Sequence, residues 1–185
     1  GVILSGGNRV TLEPANHTIT GSHITEFARI LQKYTPAVCL CGVGQQLLDT
    51  EISNGAHFGM LLTGNDHRIA RNHFHDLVYG GADAGAIYSG REWTYRGAHI
   101  EGNTFENINS YLCQAGGAKN CVGQPPRALH ADDGISGWTV VNNLFRNLTQ
   151  VHNGLSNRDM TMAHNRFEHV LSAGQPKTNL DADHR

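Results

Sequence analysis

The sequence predicts an all-β fold built from stacked repeats, and three observations carry that prediction. Glycine is abundant, at 22 of 185 residues. Without a collagen period, that many glycines mark tight turns, and helices tolerate them poorly. A short phrase of the form Asn-x-Phe-x-polar-aliphatic recurs at residues 72–77, 103–108, 143–148 and 165–170, with weaker copies around 23–27 and 49–52. Short stretches of alternating apolar and polar residues accompany each phrase, and no segment shows the apolar period of a helix.

The elements follow in order from the phrases. Phe27, Ile52, Phe74, Phe105, Phe145 and Phe167 each anchor one copy. Their spacing gives a base period of about 22 residues, with longer steps from Phe74 to Phe105 and from Phe105 to Phe145. The alternating stretches 68–72, 99–103 and 139–143 precede a phrase and read as short strands with one buried face. Past a Gly or polar corner, 37–41, 59–63, 85–89 and 127–131 read as a second strand. Short strands at this period, with Asn at the bends, are what a parallel β-helix requires, each coil laying its strands on those below. Leucine-rich repeats share the period but would show several leucines per unit. Six copies of the phrase predict about six coils in one domain, 1–185. Aligning the second strands on the glycine after each predicts two inward columns: Cys39, Leu61, Ile87 and Leu129, and Cys41, Thr63, Ser89 and Ala131. Leu40, Leu62, Tyr88 and His130 then share the opposite face. Phe27, Phe74, Phe105, Phe145 and Phe167 are expected to stack as one interior ladder.

Composition narrows the function classes. With 39% hydrophobic residues, 16% charged residues and a formal charge of −2, the chain lacks the clustered Lys and Arg that counterion release from nucleic acid needs. No apolar run approaches the roughly 18 residues of a membrane span, and no segment has the form of a signal peptide. The four cysteines form no C-x-x-C pair and make no zinc site. Cys39 and Cys41 read as small buried hydrophobes, about 6.5–7 Å apart along one strand, that cannot pair without breaking it. Cys113 and Cys121 fall within the longest insertion, 111–126, and are expected to staple it as a disulfide. Asn16-His-Thr18 and Asn147-Leu-Thr149 match the glycosylation sequon.

Four stretches carry a family resemblance: Gly85-Ala-Ile-Tyr-Ser-Gly-Arg-Glu-Trp-Thr-Tyr-Arg-Gly97, Leu61-Leu-Thr-Gly-Asn-Asp-His67, Asp132-Asp-Gly-Ile-Ser-Gly137 and the opening Leu4-Ser-Gly-Gly7. From about Leu4 to Asp183 the chain resembles right-handed parallel β-helix repeat proteins of the pectate-lyase-like superfamily. That superfamily contains secreted enzymes that degrade polysaccharides, both glycoside hydrolases and polysaccharide lyases. The resemblance implies a right-handed solenoid, an extracellular location and a polysaccharide partner.

Glycoside hydrolysis needs two carboxyl groups flanking the scissile bond. The candidates are Asp83, at the start of one second strand, and Asp132 with Asp133, at the end of the equivalent strand one coil later. Coils stack about 4.8 Å apart, so acids at similar positions of neighbouring coils come within the range hydrolases use. Turn carboxylates that cap backbone N–H groups have the same sequence appearance. His130, expected beside Tyr88 on the outer face, suits a sugar hydroxyl or proton transfer, although His73, His75, His99, His152, His164 and His169 show how common the residue is here. Tyr88, Arg91 and Trp93 are candidates for a sugar platform with a guanidinium for a uronate; a loop packed on its own coil is the alternative. A lyase needs a base and a cation for the enolate. Lysine is scarce, with Lys33, Lys119 and Lys177 alone, so a lyase ranks second. No cofactor is expected, although the Asp132–Asp133 turn is also a possible Ca²⁺ site. A non-catalytic solenoid that binds polysaccharide or acts as a spacer is the contrasting class.

Overall fold

The computed structural model describes residues 1–113, 124–152 and 157–172. Among them the chain is all-β, without helix, and every strand pairing is parallel. Three rows of strands recur in turn. The first contains β1 (Val2–Gly6), β4 (Val38–Val43), β7 (Met60–Asn65), β10 (Gly85–Gly90) and β13 (Arg127–Asp132). The second contains β2 (Thr18–Thr20), β5 (Gln46–Leu48), β8 (Arg68–Ala70), β11 (His99–Glu101), β14 (Thr139–Val141) and β16 (Thr161–Ala163). The third contains β3 (His23–Thr25), β6 (Glu51–Gly55), β9 (His73–Leu77), β12 (Thr104–Ile108), β15 (Leu144–His152) and β17 (Arg166–Ser172). The long β15 joins two rows: Leu144 pairs with Thr104 of β12, and Gln150 pairs with Arg127 of β13. The sheet is therefore strongly curled, and the arrangement is consistent with a parallel β-helix.

Each letter of the recurring phrase now has a physical reason. Its aromatic points into the core, where Phe74, Phe105 and Phe145 are fully buried and stack on the next ring at 5.0, 5.1 and 5.5 Å, ending at Phe167. That spacing follows the strand-to-strand distance. The closing aliphatic, Leu77, Ile108 or Leu148, is buried too. The polar residue before it, Asp76, Asn107, Asn147 or His169, has φ of 51–54° and turns the corner; Asp and Asn tolerate this region better than most residues. The leading Asn builds a ladder: the Asn72 backbone N–H and side-chain amide both donate to Asn103 Oδ1 at 2.9 Å, Asn103 repeats this toward Asn143, and Asn143 toward Asn165. Thr50 holds the rung above, its N–H donating to Asn72 Oδ1. These amides replace the strand bonds lost at a bend, which buried backbone cannot leave unmade.

Three expectations need correction. Phe27 is not in the ring ladder, because His23, Ile24 and Thr25 pair with Glu51, Ile52 and Ser53, so Ile24 occupies the ladder position above Ile52 and Phe74. Phe27 instead covers Gly55, where a side chain would collide with its ring at 2.0 Å. The register of the first row is off by one between β7 and β10, since Met60 pairs with Ile87 and Leu61 with Tyr88. Val38, Met60, Ile87 and Leu129 therefore form the inward column and are fully buried, whereas Cys39, Leu61, Tyr88 and His130 share the outward one. The glycines misled the alignment because they do different work. Gly42 and Gly64 (φ 86° and 113°) clear carbonyl oxygens of the preceding strand, which a Cβ would meet at 2.0 Å. Gly90 sits one place earlier and clears space for a side chain. Finally, Cys39 and Cys41 point to the outward face of β4 and not into the inward column, because Leu40 between them fills the core; Cys39 is buried there as expected, and Cys41 is half-buried. Both are free thiols, and Cys113 is disulfide-bonded; its expected partner, Cys121, lies outside the described residues.

Candidate active site

The outward face of β10 and β13 positions the candidate side chains. Strand pairing sets Tyr88 opposite His130 and Gly90 opposite Asp132, and alternation sends all of these to the outside. Phe58 stacks on Tyr88 at 4.4 Å, and the Tyr88 ring meets His130 edge-on at 5.1 Å. So held, the Tyr88 hydroxyl donates to Asp132 Oδ2 at 3.1 Å. Gly90 makes the reach possible, because a Cβ there would lie 2.6 Å from the Tyr88 hydroxyl and 2.9 Å from Asp132 Cβ. Burial, with the neighbouring Asp132 charge, pushes the phenol up to about 12.

Asp83 enters from the loop before β10. Its N–H donates to the Gln124 carbonyl at 2.8 Å, and the Arg127 N–H donates to the Ala84 carbonyl, which ties this loop to the chain leading into β13. The side chain of Arg127 is 2% exposed and its Nη1 donates to Asp83 Oδ1 at 3.2 Å. The same Nη1 lies 3.0 Å from His130 Nε2, and Nε reaches Gln150. That Nη1 also lies 3.3 Å from His130 Nδ1; a guanidinium only donates, so the ring accepts and the imidazole is neutral. Burial, then the Arg127 charge, depresses His130 to about 4, against the opposing pull of Asp132 and Asp83. Burial also lowers Arg127, and the Asp83 ion pair offsets this.

The two carboxylates converge on that imidazole. His130 Nε2 lies 3.9 Å from Asp83 Oδ1 and 3.7 Å from Asp132 Oδ1. Two such legs keep the oxygens inside the upper limit of about 9.5 Å for paired catalytic carboxyls. Asp83 is 62% exposed and Asp132 18%, so the pair opens to solvent on the Asp83 side. Arg91 completes the border, its Nε 3.4 Å from Asp132 and 3.7 Å from Asp133.

Asp83, Asp132, Tyr88, Arg91 and His130 thus stand together. Asp133 does not join the centre: it is a turn residue, 63% exposed, that touches Arg91. Trp93 packs on Gly134 of the same turn, and the Arg158 guanidinium lies over its ring at 4.7 Å, on a surface a sugar would need. The Arg91 guanidinium beside Asp132 and Asp133 also disfavours a cation there, and among the described residues no group of His, Cys, Asp or Glu side chains is arranged to hold a metal ion. Sequence reasoning missed Arg127 and Phe58 as parts of this centre. The one signal for Arg127 was a charged residue opening the strand Arg-Ala-Leu-His-Ala; Phe58 had none.

No protein family, no curated protein and no solved structure matches the chain. Among the described residues no helix is long and apolar enough to cross a membrane.

Proposed function

We propose that the chain is a right-handed parallel β-helix of about six coils, of the pectate-lyase-like kind, that hydrolyses a polysaccharide outside the cell with Asp83 and Asp132. The observation that supports this most directly is the convergence of both carboxylates on one neutral, buried imidazole with one of them open to water. In this reading one carboxylate of the pair activates the attacking water or attacks the sugar itself, and the other, once protonated, donates to the leaving oxygen. Arg127 holds Asp83 in place, Tyr88 orients Asp132, and Arg91 meets substrate at the rim. Asp83→Asn and Asp132→Asn should each cut the release of reducing ends by about 10²–10⁴-fold while polysaccharide binding persists. Full turnover by either variant would refute the assignment.

A second reading is favoured by Arg127, which brings a second guanidinium to the centre beside Arg91. β-Elimination from a uronate uses such cations to stabilise the enolate. Products absorbing through a new double bond, with no hydrolytic reducing ends, would select the lyase. Binding without turnover of either kind would select the non-catalytic solenoid.

A further inference from the structure

The two thiols of β4 form a chemical site apart from the carboxylates. Leu40 is fully buried, so strand alternation forces Cys39 and Cys41 onto the same outer face. Their sulfurs lie 2.8 Å apart, closer than two non-bonded sulfurs ordinarily approach and longer than the about 2.05 Å of a disulfide. Cys39 lines a cavity of about 310 Å³ with Ile3, Tyr34, Pro36 and Leu61, and Cys41 is half-buried beside it. The chain also contains a disulfide at Cys113, which places it in surroundings where disulfides persist.

We propose that Cys39 and Cys41 are a thiol–disulfide exchange site that closes, with a low-molecular-weight disulfide as oxidant, to a reducible intrastrand disulfide. Cys41, the more exposed, loses its proton and attacks one sulfur of the oxidant R–S–S–R. A mixed disulfide forms and one thiolate leaves. Cys39 then loses its proton and attacks the Cys41 sulfur, expelling the second thiolate; both thiolates take up the released protons. The protein dithiol loses two hydrogens and the oxidant becomes two thiols. The order follows from the surroundings, since burial and the neighbouring Cys41 hold the Cys39 thiol up at about 12. A mixed disulfide at Cys41 removes the part of that shift caused by the neighbouring thiol and sets its sulfur beside Cys39 for the second attack.

The product is reducible for a geometric reason. Two residues along a strand span roughly 6.6 Å between Cα atoms, at the upper edge of the about 4.4–6.8 Å that disulfides accept. Closure therefore bends β4, and a strained disulfide is readily returned to thiols. Because β4 is paired with β1 on one side and β7 on the other, the bend stays local.

The test treats the folded chain with oxidised glutathione and follows the peptide bearing both cysteines by mass spectrometry. The expected result is a loss of two hydrogens in that peptide, preceded by a transient glutathione adduct, and reversal by a mild monothiol that leaves the Cys113 disulfide intact. Cys39→Ser should accumulate the adduct at Cys41, and Cys41→Ser should lose the reaction. Persistence of two alkylatable thiols after treatment would overturn the proposal. So would reaction of Cys41→Ser at the rate of Cys39→Ser.

Discussion

Gly90 shows how one missing side chain shapes the site. It leaves room for the Tyr88 hydroxyl to reach Asp132, and Phe58 presses the ring from behind. Gly90→Ala would put a methyl 2.6 Å from that hydroxyl, at a place where neither β10 nor β13 can easily yield. The expected outcome is a fold retained at a cost of about 1–3 kcal/mol, as for other overpacked sites. Activity on polysaccharide should fall by about 10²-fold, the scale for a misplacement near 1 Å. The Tyr88 phenol should also titrate lower, because the neighbouring Asp132 is one cause of its upward shift. Spectrophotometric titration against Tyr88→Phe reads this directly, and an unmoved phenol would mean the hydroxyl does not depend on Gly90. The same glycine hid the register from sequence. A glycine that relieves backbone, as at Gly42, and one that relieves a side chain, as at Gly90, are the same letter.

At the scale of the element, the repeat was legible wherever both of its ladders run. The phrases at Phe74, Phe105, Phe145 and Phe167 carry an amide and a ring together, and those repeats match the structure strand for strand. Toward the first repeats both signals change residue type: Thr50 replaces the amide, and Ile24 and Ile52 replace the rings. Phe27 then attracts the alignment although it packs three residues further on. The site was legible in part for a similar reason. Asp83, Tyr88, His130 and Asp132 stand on strands or beside them, where stacking predicts neighbours, but Arg127 reaches the centre through side-chain length, which pattern does not encode. Phe105, between two stacked rings, tests the ladder: Phe105→Ala should destabilise the fold by about 3–5 kcal/mol. Phe27→Ala, at a half-buried ring outside the ladder, should cost less. Urea unfolding of both variants decides, and equal losses would contradict the corrected register.

At the scale of the whole molecule, buried histidines and one ion-paired surface histidine respond to pH in opposite ways. On the outer face of the third row, His75 lies 2.7 Å from Asp76 and 3.0 Å from Glu51, and these bonds raise it despite partial burial. A raised histidine contributes stability that is complete below its unfolded value of about 6.5, so acidification past that point adds nothing. Inside, burial lowers His57 and His152 to about 4. Between pH 6.5 and 4 the unfolded chain binds protons there that the folded chain does not, so stability falls as pH falls. Each fully buried histidine shifted that far costs up to about 3 kcal/mol across the window. Glu51, lowered chiefly by the His75 hydrogen bond, adds its own loss only below its unfolded value of about 4.3, so the range from pH 6.5 to 4.5 isolates the interior histidines. His152 is the sharper test, since its Nε2 is buried with no hydrogen-bond partner among the described residues. His152→Leu removes a proton site and an unsatisfied nitrogen together. It should flatten the decline in unfolding free energy between pH 6.5 and 4.5, measured by urea titration at each pH, while His75→Gln should leave that slope unchanged. A His152→Leu slope equal to that of the parent chain would mean that His152 does not resist protonation in the folded state.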